Sequence, residues 1–122
     1  MHVSAPGLYG AARASLERSY WVRKVAEHFE KPGYDVTHEH QIRNNGAVDL
    51  LAERSGERVA VEIETGKSDI KANLVKVRKG GFDRLVVVGT SPAAVGACHR
   101  AIEAADLEKD PSVELMAWLD VG

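Results

Sequence analysis

The sequence predicts an α/β protein in which a mixed central β-sheet carries helices on both sides. Helical patterns and short β-branched-rich runs follow one another in the order αβββαβαβ. The segment from Phe82 to Gly89 is continuously apolar, which is typical of a strand covered on both faces. The segment from Ala47 to Asp69 contains two strand-like runs around Ser55-Gly56, which predicts a tight antiparallel hairpin.

Length and composition bound the number of domains and the class of protein. A chain of 122 residues with 44% hydrophobic and 28% charged residues can fold as one domain around one core. We expect residues 1–10 to form a flexible N-terminal arm and residues 11–122 to form that single domain. The net charge of −2 gives no overall attraction to nucleic acid, so any such contact must be local.

Cysteine usage and hydropathy indicate the compartment. The single Cys98 excludes an intrachain disulfide and a multi-cysteine zinc site, and it fits a reducing environment. No apolar run approaches the roughly 18 residues of a membrane span, and no signal-peptide pattern opens the chain. We therefore expect a cytoplasmic protein without a membrane segment.

The first helix is expected from about Ala11 to the Lys31-Pro32-Gly33 break, because apolar residues recur on one face at near-helical spacing. Its polar face either is solvated or lies against phosphates. A strand from Tyr34 to Ile42 follows, with a turn at Asn44-Asn45-Gly46. Its two histidines, at positions 38 and 40, are expected to share a strand face, either as surface and supporting residues or as a metal pair.

The hairpin carries three carboxylates that must be accommodated together. A turn centred on Ser55-Gly56 sets Asp49 opposite Glu62, and Glu62 and Glu64 share one strand face. Directly opposed side chains lie about 4.5–5.5 Å apart at Cβ, where like charges are destabilising. Solvent, a raised pKa, a nearby lysine or a divalent cation must offset this repulsion. Oxygen ligands at such density suit Mg²⁺ or Mn²⁺ rather than zinc.

The second half of the chain continues with helices and strands in alternation. A second helix is expected from Asp69 to about Lys79, ended by Gly80-Gly81. Its polar face is either solvated or in contact with phosphates. Ser91-Pro92 caps a third helix that runs to about Leu107, and a last strand spans Val113 to Leu119. The second helix is the most basic element, through Lys71, Lys76, Arg78 and Lys79.

The order of elements and the spacing of the acids resemble the PD-(D/E)XK nuclease superfamily, over roughly Leu16 to Gly89. The matching residues are Val48-Asp49-Leu50-Leu51, Val61-Glu62-Ile63-Glu64 and Gly66-Lys67-Ser68-Asp69. This restriction-endonuclease-like fold includes archaeal Holliday-junction resolvases and RecB-type nucleases. The resemblance implies a metal-dependent endonuclease that hydrolyses phosphodiester bonds of DNA.

The resemblance also implies a site for Mg²⁺ or Mn²⁺. Asp49, Glu62 and the backbone carbonyl of Ile63 correspond to the family's metal ligands. The first helix often adds an acid, for which Glu17 is the best candidate and Glu27 the next.

One departure from the family pattern concerns the residue that follows the metal ligands. Glu64 stands where the family usually has a lysine, which helps to orient the attacking water. Some restriction enzymes also carry ExE here, so the substitution alone does not imply inactivity. The catalytic set therefore comprises Asp49, Glu62 and Glu64, with Lys67 or Lys76 supplying the missing positive charge.

Partners follow from the basic helix and from two alternative functions. Phosphate contacts by this helix would position DNA without reading its sequence, which favours structure-selective or weakly sequence-selective cleavage by a homodimer. One alternative is a non-catalytic nuclease-like module that binds DNA or assembles with an ATPase, helicase or nuclease partner. The other is an unrelated small α/β domain for a nucleotide or a protein, in which the acids pair with Arg54, Arg58 or Lys67.

Overall fold

The computed structural model describes residues 6–42 and 46–122, with side chains described from residue 16 onward outside that gap. These residues form three α-helices, five strands and one short 3₁₀ helix, in the predicted order αβββαβαβ. The elements are α1 (Pro6–Glu30), β1 (Asp35–Gln41), β2 (Ala47–Arg54), β3 (Glu57–Glu64), α2 (Ile70–Arg78), β4 (Arg84–Gly89), α3 (Pro92–Ala104), β5 (Val113–Ala117) and the 3₁₀ helix Trp118–Asp120.

The five strands form one mixed sheet in the order β1-β2-β3-β4-β5, which confirms the predicted fold class. The first three strands pair antiparallel, and β4 and β5 join β3 in parallel. Parallel neighbours need a crossover, and α2 and α3 provide these two connections. The antiparallel hairpin of β2 and β3 therefore lies inside the sheet, with β1 at one edge and β5 at the other.

Apolar side chains cover both faces of the sheet. Val25 and Phe29 of α1 pack on one face, and Leu74 of α2 and Cys98 of α3 belong to the core on the other. Strand β4 alternates between the two cores, and its residues 85–88 are at most 2% exposed. Full burial of such a side chain contributes roughly 1.5–3 kcal/mol. The continuous apolar run thus forms a doubly covered strand, as predicted.

The turn between β2 and β3 confirms the predicted hairpin. Ser55 and Gly56 both have positive φ, 52° and 84°, which is the pattern of a two-residue type I′ turn. This turn sets Arg54 opposite Glu57 and carries the register up the ladder to Leu50 opposite Val61.

Several element ends differ from the predicted ones. Helix α1 begins at Pro6 rather than near Ala11, so residues 6–10 of the predicted arm are helical, and residues 1–5 lie outside the described residues. Helix α3 ends at Ala104 because Asp106 adopts φ 61° and closes a C-terminal turn. Most of the predicted turn at positions 44–46 also lies outside the described residues. Among the helices that are described, none combines the length and apolar character needed to cross a membrane.

Candidate metal centre

The site lies where the β2–β3 ladder ends. The paired residues stop at Leu50 and Val61, and beyond them carboxylates join the two strands. Oδ2 of Asp49 accepts a hydrogen bond from the N–H of Ile63 at 2.8 Å, and Oε1 of Glu62 accepts one from the N–H of Asp49 at 2.9 Å. Each acid therefore binds a backbone donor of the opposite strand. These two bonds hold Asp49 and Glu62 across from each other.

Strand alternation breaks at Asp49. Val48 belongs to the core under α2 and α3, whereas Leu50, two residues later, belongs to the core under α1. Strict alternation would place both on one face. Glu39 and Asp49 lie between the paired residues His38–Leu50 and His40–Val48, and Glu39 adopts φ 51°, in the left-handed region. Both strands thus change phase together, at the position of the predicted metal ligand.

The same break separates the two histidines of β1. His38 lines a groove with Arg18 on the α1 side of the sheet. His40 lies against the ring of Phe82, with centroids 6.1 Å apart, and its Nε2 is 3.3 Å from Arg58. The expectation that His38 and His40 share a face is therefore wrong, because the left-handed residue between them reverses the alternation.

Burial raises the pKa of all three acids. Glu62 is 4% exposed, and burial together with the adjacent charge of Asp49 raises its pKa to about 7. Burial also raises the pKa of Glu64, although hydrogen bonds from Ser68 and Asn73 lower it in part. The pKa of Asp49 is raised by burial against the opposing effects of the Ile63 N–H and Arg18. A raised pKa is therefore one of the ways in which this hairpin accommodates opposed acids.

Two cations accompany the acids. Arg18 reaches from α1 to the hairpin, where its Nη1 donates to the carbonyl oxygen of Ile63 at 3.0 Å and its Nη2 forms an ion pair with Oδ1 of Asp49. Lys76 approaches from α2, and its charge lowers the pKa of both Asp49 and Glu62. The acidic site is thus flanked by one positive charge from each side of the sheet.

These groups surround a cavity of about 260 Å³. A larger groove of about 690 Å³ adjoins it and shares Arg18, Ala47 and Asp49 with its lining. The smaller cavity is lined by Arg18, Ala47, Asp49, Glu62, Glu64, Ser68, Asn73 and Lys76.

The structure brings together some of the predicted site residues and leaves others apart. Asp49, Glu62, Glu64 and Lys76 line the cavity, and the carbonyl of Ile63 faces Arg18 beside it. The side chains of Glu17, Glu27 and Lys67 do not line the cavity and are exposed. Of the two proposed lysines, only the one on α2 therefore lies at the acids.

The predicted nucleic-acid-binding residues lie on neighbouring surfaces, and Lys79 lines both the groove of the other two lysines and a cavity that Arg78 lines. Lys71, Lys76 and Lys79 line one groove of about 440 Å³ along α2. Arg78 instead pairs with Asp110, whose carboxylate is 3.0 Å away. Lys71 and Lys76 of α2 and the C-cap residue Lys79 share this groove with Asp69, and the groove adjoins the acidic cavity because Lys76 lines both.

Sequence reasoning missed three residues at the site. These residues are Arg18 of the first helix, Ser68 and Asn73. Ser68 follows the ExE motif closely, so a hydrogen bond back to Glu64 was accessible from spacing alone. The contact between Arg18 and Ile63 spans 45 positions, and no local pattern indicates it.

The donor atoms suit a hard divalent cation. Asp49 and Glu62 each use one carboxylate oxygen for a backbone bond, and Oδ1 of Asp49 and the carbonyl of Ile63 already face a positive charge. Oxygen-only sets of this kind are typical of Mg²⁺ and Mn²⁺ sites. Within residues 6–42 and 46–122, no three histidine, cysteine, aspartate or glutamate side chains are grouped so as to hold a metal. A metal here would therefore need the backbone carbonyl as a third protein ligand.

Comparisons with family models, with curated proteins and with solved structures give no match. The likeness to PD-(D/E)XK nucleases therefore depends on the motif residues and on the order of the elements.

Proposed function

We propose that this protein is a metal-dependent endonuclease of the PD-(D/E)XK type that hydrolyses phosphodiester bonds of DNA. One observation carries the proposal: Asp49, Glu62 and the carbonyl of Ile63 converge at the open end of the hairpin, beside a cavity that Lys76 also lines. Two acids and a main-chain oxygen next to a lysine are what the family resemblance implies for this position.

The chain's own residues would hold and orient the reacting groups. Mg²⁺ or Mn²⁺ bound to Asp49, Glu62 and Ile63 would lower the pKa of a bound water and stabilise charge on the scissile phosphate. The backbone bonds of the two acids keep their ligand oxygens in place. Lys76 would supply the positive charge that Glu64 does not, because it lines the same cavity from α2. Glu64, oriented by the Ser68 hydroxyl, would place a third carboxylate beside the two ligand acids.

The basic groove of α2 would position the substrate. Lys71 and Lys79 continue from Lys76 along the helix and suit a phosphate backbone, whereas Arg78 is engaged by Asp110. Such contacts carry no sequence information, so we propose structure-selective or weakly sequence-selective cleavage. A homodimer would provide further contact area, since specific protein–DNA interfaces bury roughly 1,000–2,500 Å² of protein surface. The free, buried thiol at position 98 fits action in the cytoplasm.

A second candidate function is favoured by a specific contact. Arg18 binds two of the proposed ligand groups, and Glu64 replaces the usual lysine. A permanent guanidinium in place of a metal would leave a nuclease-like module that binds DNA or assembles with an ATPase, helicase or nuclease partner. The two candidates differ in whether the site binds a divalent metal.

A cleavage assay tests the proposal. Labelled duplexes, junctions, flaps and single strands would be incubated with Mg²⁺, Mn²⁺ or EDTA and with wild type, Asp49→Asn or Glu53→Gln. Asparagine keeps an oxygen that can accept from the N–H of Ile63, so the fold is preserved while the ligand charge is lost. Glu53 lies on the same strand but is exposed near the turn, so its change is a matched control. We expect metal-dependent cleavage by wild type and Glu53→Gln, and none by Asp49→Asn.

The opposite outcomes are equally informative. Cleavage that persists in EDTA, or wild-type cleavage by Asp49→Asn, would reject the assigned site. Metal-independent DNA binding without any cleavage would instead support the non-catalytic module.

A further inference from the structure

Arg18 is bonded to two of the three groups assigned to the metal. Its Nη1 donates to the carbonyl of Ile63 at 3.0 Å, and its Nη2 pairs with Oδ1 of Asp49. We propose that Arg18 is a built-in competitor for the divalent cation: its guanidinium neutralises the metal-free site and must leave before the metal binds. The inference rests on the proposed nuclease function, because it assigns a regulator to that same site.

The guanidinium and a metal ion compete for these oxygens. Mg²⁺ requires near-octahedral oxygen ligands at about 2.0–2.1 Å, and the planar guanidinium fork of Arg18 donates to the same two acceptors. Two cations at adjacent ligand positions also repel strongly where protein shields them from water. Each occupant therefore lowers the affinity of the site for the other, and this coupling is reciprocal.

Arg18 has space to leave without moving its helix. Its side chain is 45% exposed, although its tip reaches the hairpin. The adjoining groove of about 690 Å³ is lined by Arg18 itself and by Glu39, a carboxylate that a displaced guanidinium could pair with. The buried anchors of α1, Val25 and Phe29, lie further along the helix. We therefore expect a change in the Arg18 rotamer, without movement of α1, to open the site.

Titration calorimetry with Mn²⁺ alone tests this competition. Arg18→Gln is expected to bind Mn²⁺ about tenfold more tightly than wild type, within the 5–150-fold range that is typical of coupled sites. Arg18→Lys keeps a charge but loses the planar fork, so an intermediate affinity is expected. Arg23→Gln is the matched control, because Arg23 lies on the same helix and lines the same groove. Its affinity is expected to stay close to that of wild type.

Thermal unfolding provides a second readout that does not depend on cleavage. In EDTA, Arg18→Gln is expected to melt below wild type, because Asp49 loses its ion-pair partner. With saturating Mn²⁺, the difference in Tm between the two proteins is expected to become smaller or to change sign, since the tighter binding of Mn²⁺ by Arg18→Gln stabilises its folded state more. If Arg18→Gln does not fold, Arg18→Lys carries the same comparison.

The outcomes separate this inference from the proposed function. Equal or weaker Mn²⁺ binding by Arg18→Gln would overturn the competition, while metal binding and cleavage by wild type would leave the nuclease proposal intact. Absence of Mn²⁺ binding in wild type and in every variant would reject both. Binding by Arg18→Gln but not by wild type would support the competitor and identify Arg18 as the element that keeps the native site closed.

Discussion

Replacing Glu62 by glutamine is expected to stabilise the metal-free protein at neutral and alkaline pH. Burial and the Asp49 charge raise the pKa of Glu62 from 4.5 to about 7, so the folded state binds a proton more tightly than the unfolded state. Stability from this group is therefore fully present below pH 4.5, falls as the pH rises, and is lost above about pH 7. Glutamine stays neutral throughout and keeps an oxygen for the N–H of Asp49.

The magnitude follows from the same pKa values. Each unit of difference between the folded and unfolded pKa corresponds to about 1.4 kcal/mol, so the free energy of unfolding of Glu62→Gln should exceed that of wild type by up to about 3 kcal/mol at pH 8. For a chain of 122 residues this corresponds to roughly 10 °C in Tm. At pH 4.5 the two proteins should differ little.

Urea and thermal unfolding in EDTA at pH 4.5 and pH 8 provide the measurement. Glu17→Gln serves as a control, because it removes an exposed carboxylate and surface changes are usually within about 0.5 kcal/mol. Saturating Mn²⁺ should stabilise wild type by about 2.7 kcal/mol at a concentration of 100 Kd. This stabilisation should remove most of the difference in free energy of unfolding between wild type and Glu62→Gln at pH 8. A Glu62→Gln protein that is no more stable than wild type at pH 8 in EDTA would refute the reasoning.

Three further predictions concern lysines and the cysteine. In single-turnover assays, Lys76→Met is expected to slow metal-dependent cleavage by about a hundredfold. Lys67→Met should keep the wild-type rate, because the Lys67 side chain is exposed and does not line the cavity. Equal rates for the two variants would contradict the assignment of Lys76. Lys71→Ala and Lys79→Ala should each reduce the salt dependence of DNA binding, with the log–log slope changing by about one in anisotropy titrations. Burial raises the pKa of the Cys98 thiol to about 12, so iodoacetamide at pH 8 should label it slowly in the native protein and rapidly in urea; rapid native labelling would show that the thiol is accessible.

Local patterns account for the features of the fold that could be predicted. The Ser55-Gly56 turn determines the hairpin register, because a two-residue turn with both φ values positive leaves one pairing between its strands. That register was enough to place Asp49 across from Glu62. The continuous apolar run predicted strand β4, because a strand that is covered on both faces has apolar side chains at successive positions. Each inference used residues close together in sequence.

The site's surroundings could not be predicted in the same way. Residues 17 and 18 differ by about 100° around a helix, so which of them reaches the hairpin depends on how α1 rotates when Val25 and Phe29 pack. Resemblance to a family favoured an acid from this helix, whereas packing brings Arg18 to Asp49. The reversal of alternation at Glu39 also has no local signal, because glutamate is an uncommon residue in the left-handed region.

The bonds at the end of the hairpin ladder have a consequence for what the two acids indicate. Asp49 accepts a hydrogen bond from the N–H of Ile63, and Glu62 accepts one from the N–H of Asp49. An alanine in place of either acid would therefore leave a part-buried backbone donor without its partner. Both acids therefore have a role in folding that is independent of metal binding, and their presence alone does not distinguish the proposed nuclease from the non-catalytic module. Amide replacements, which keep the acceptor, are the changes that separate the proposed catalysis from folding.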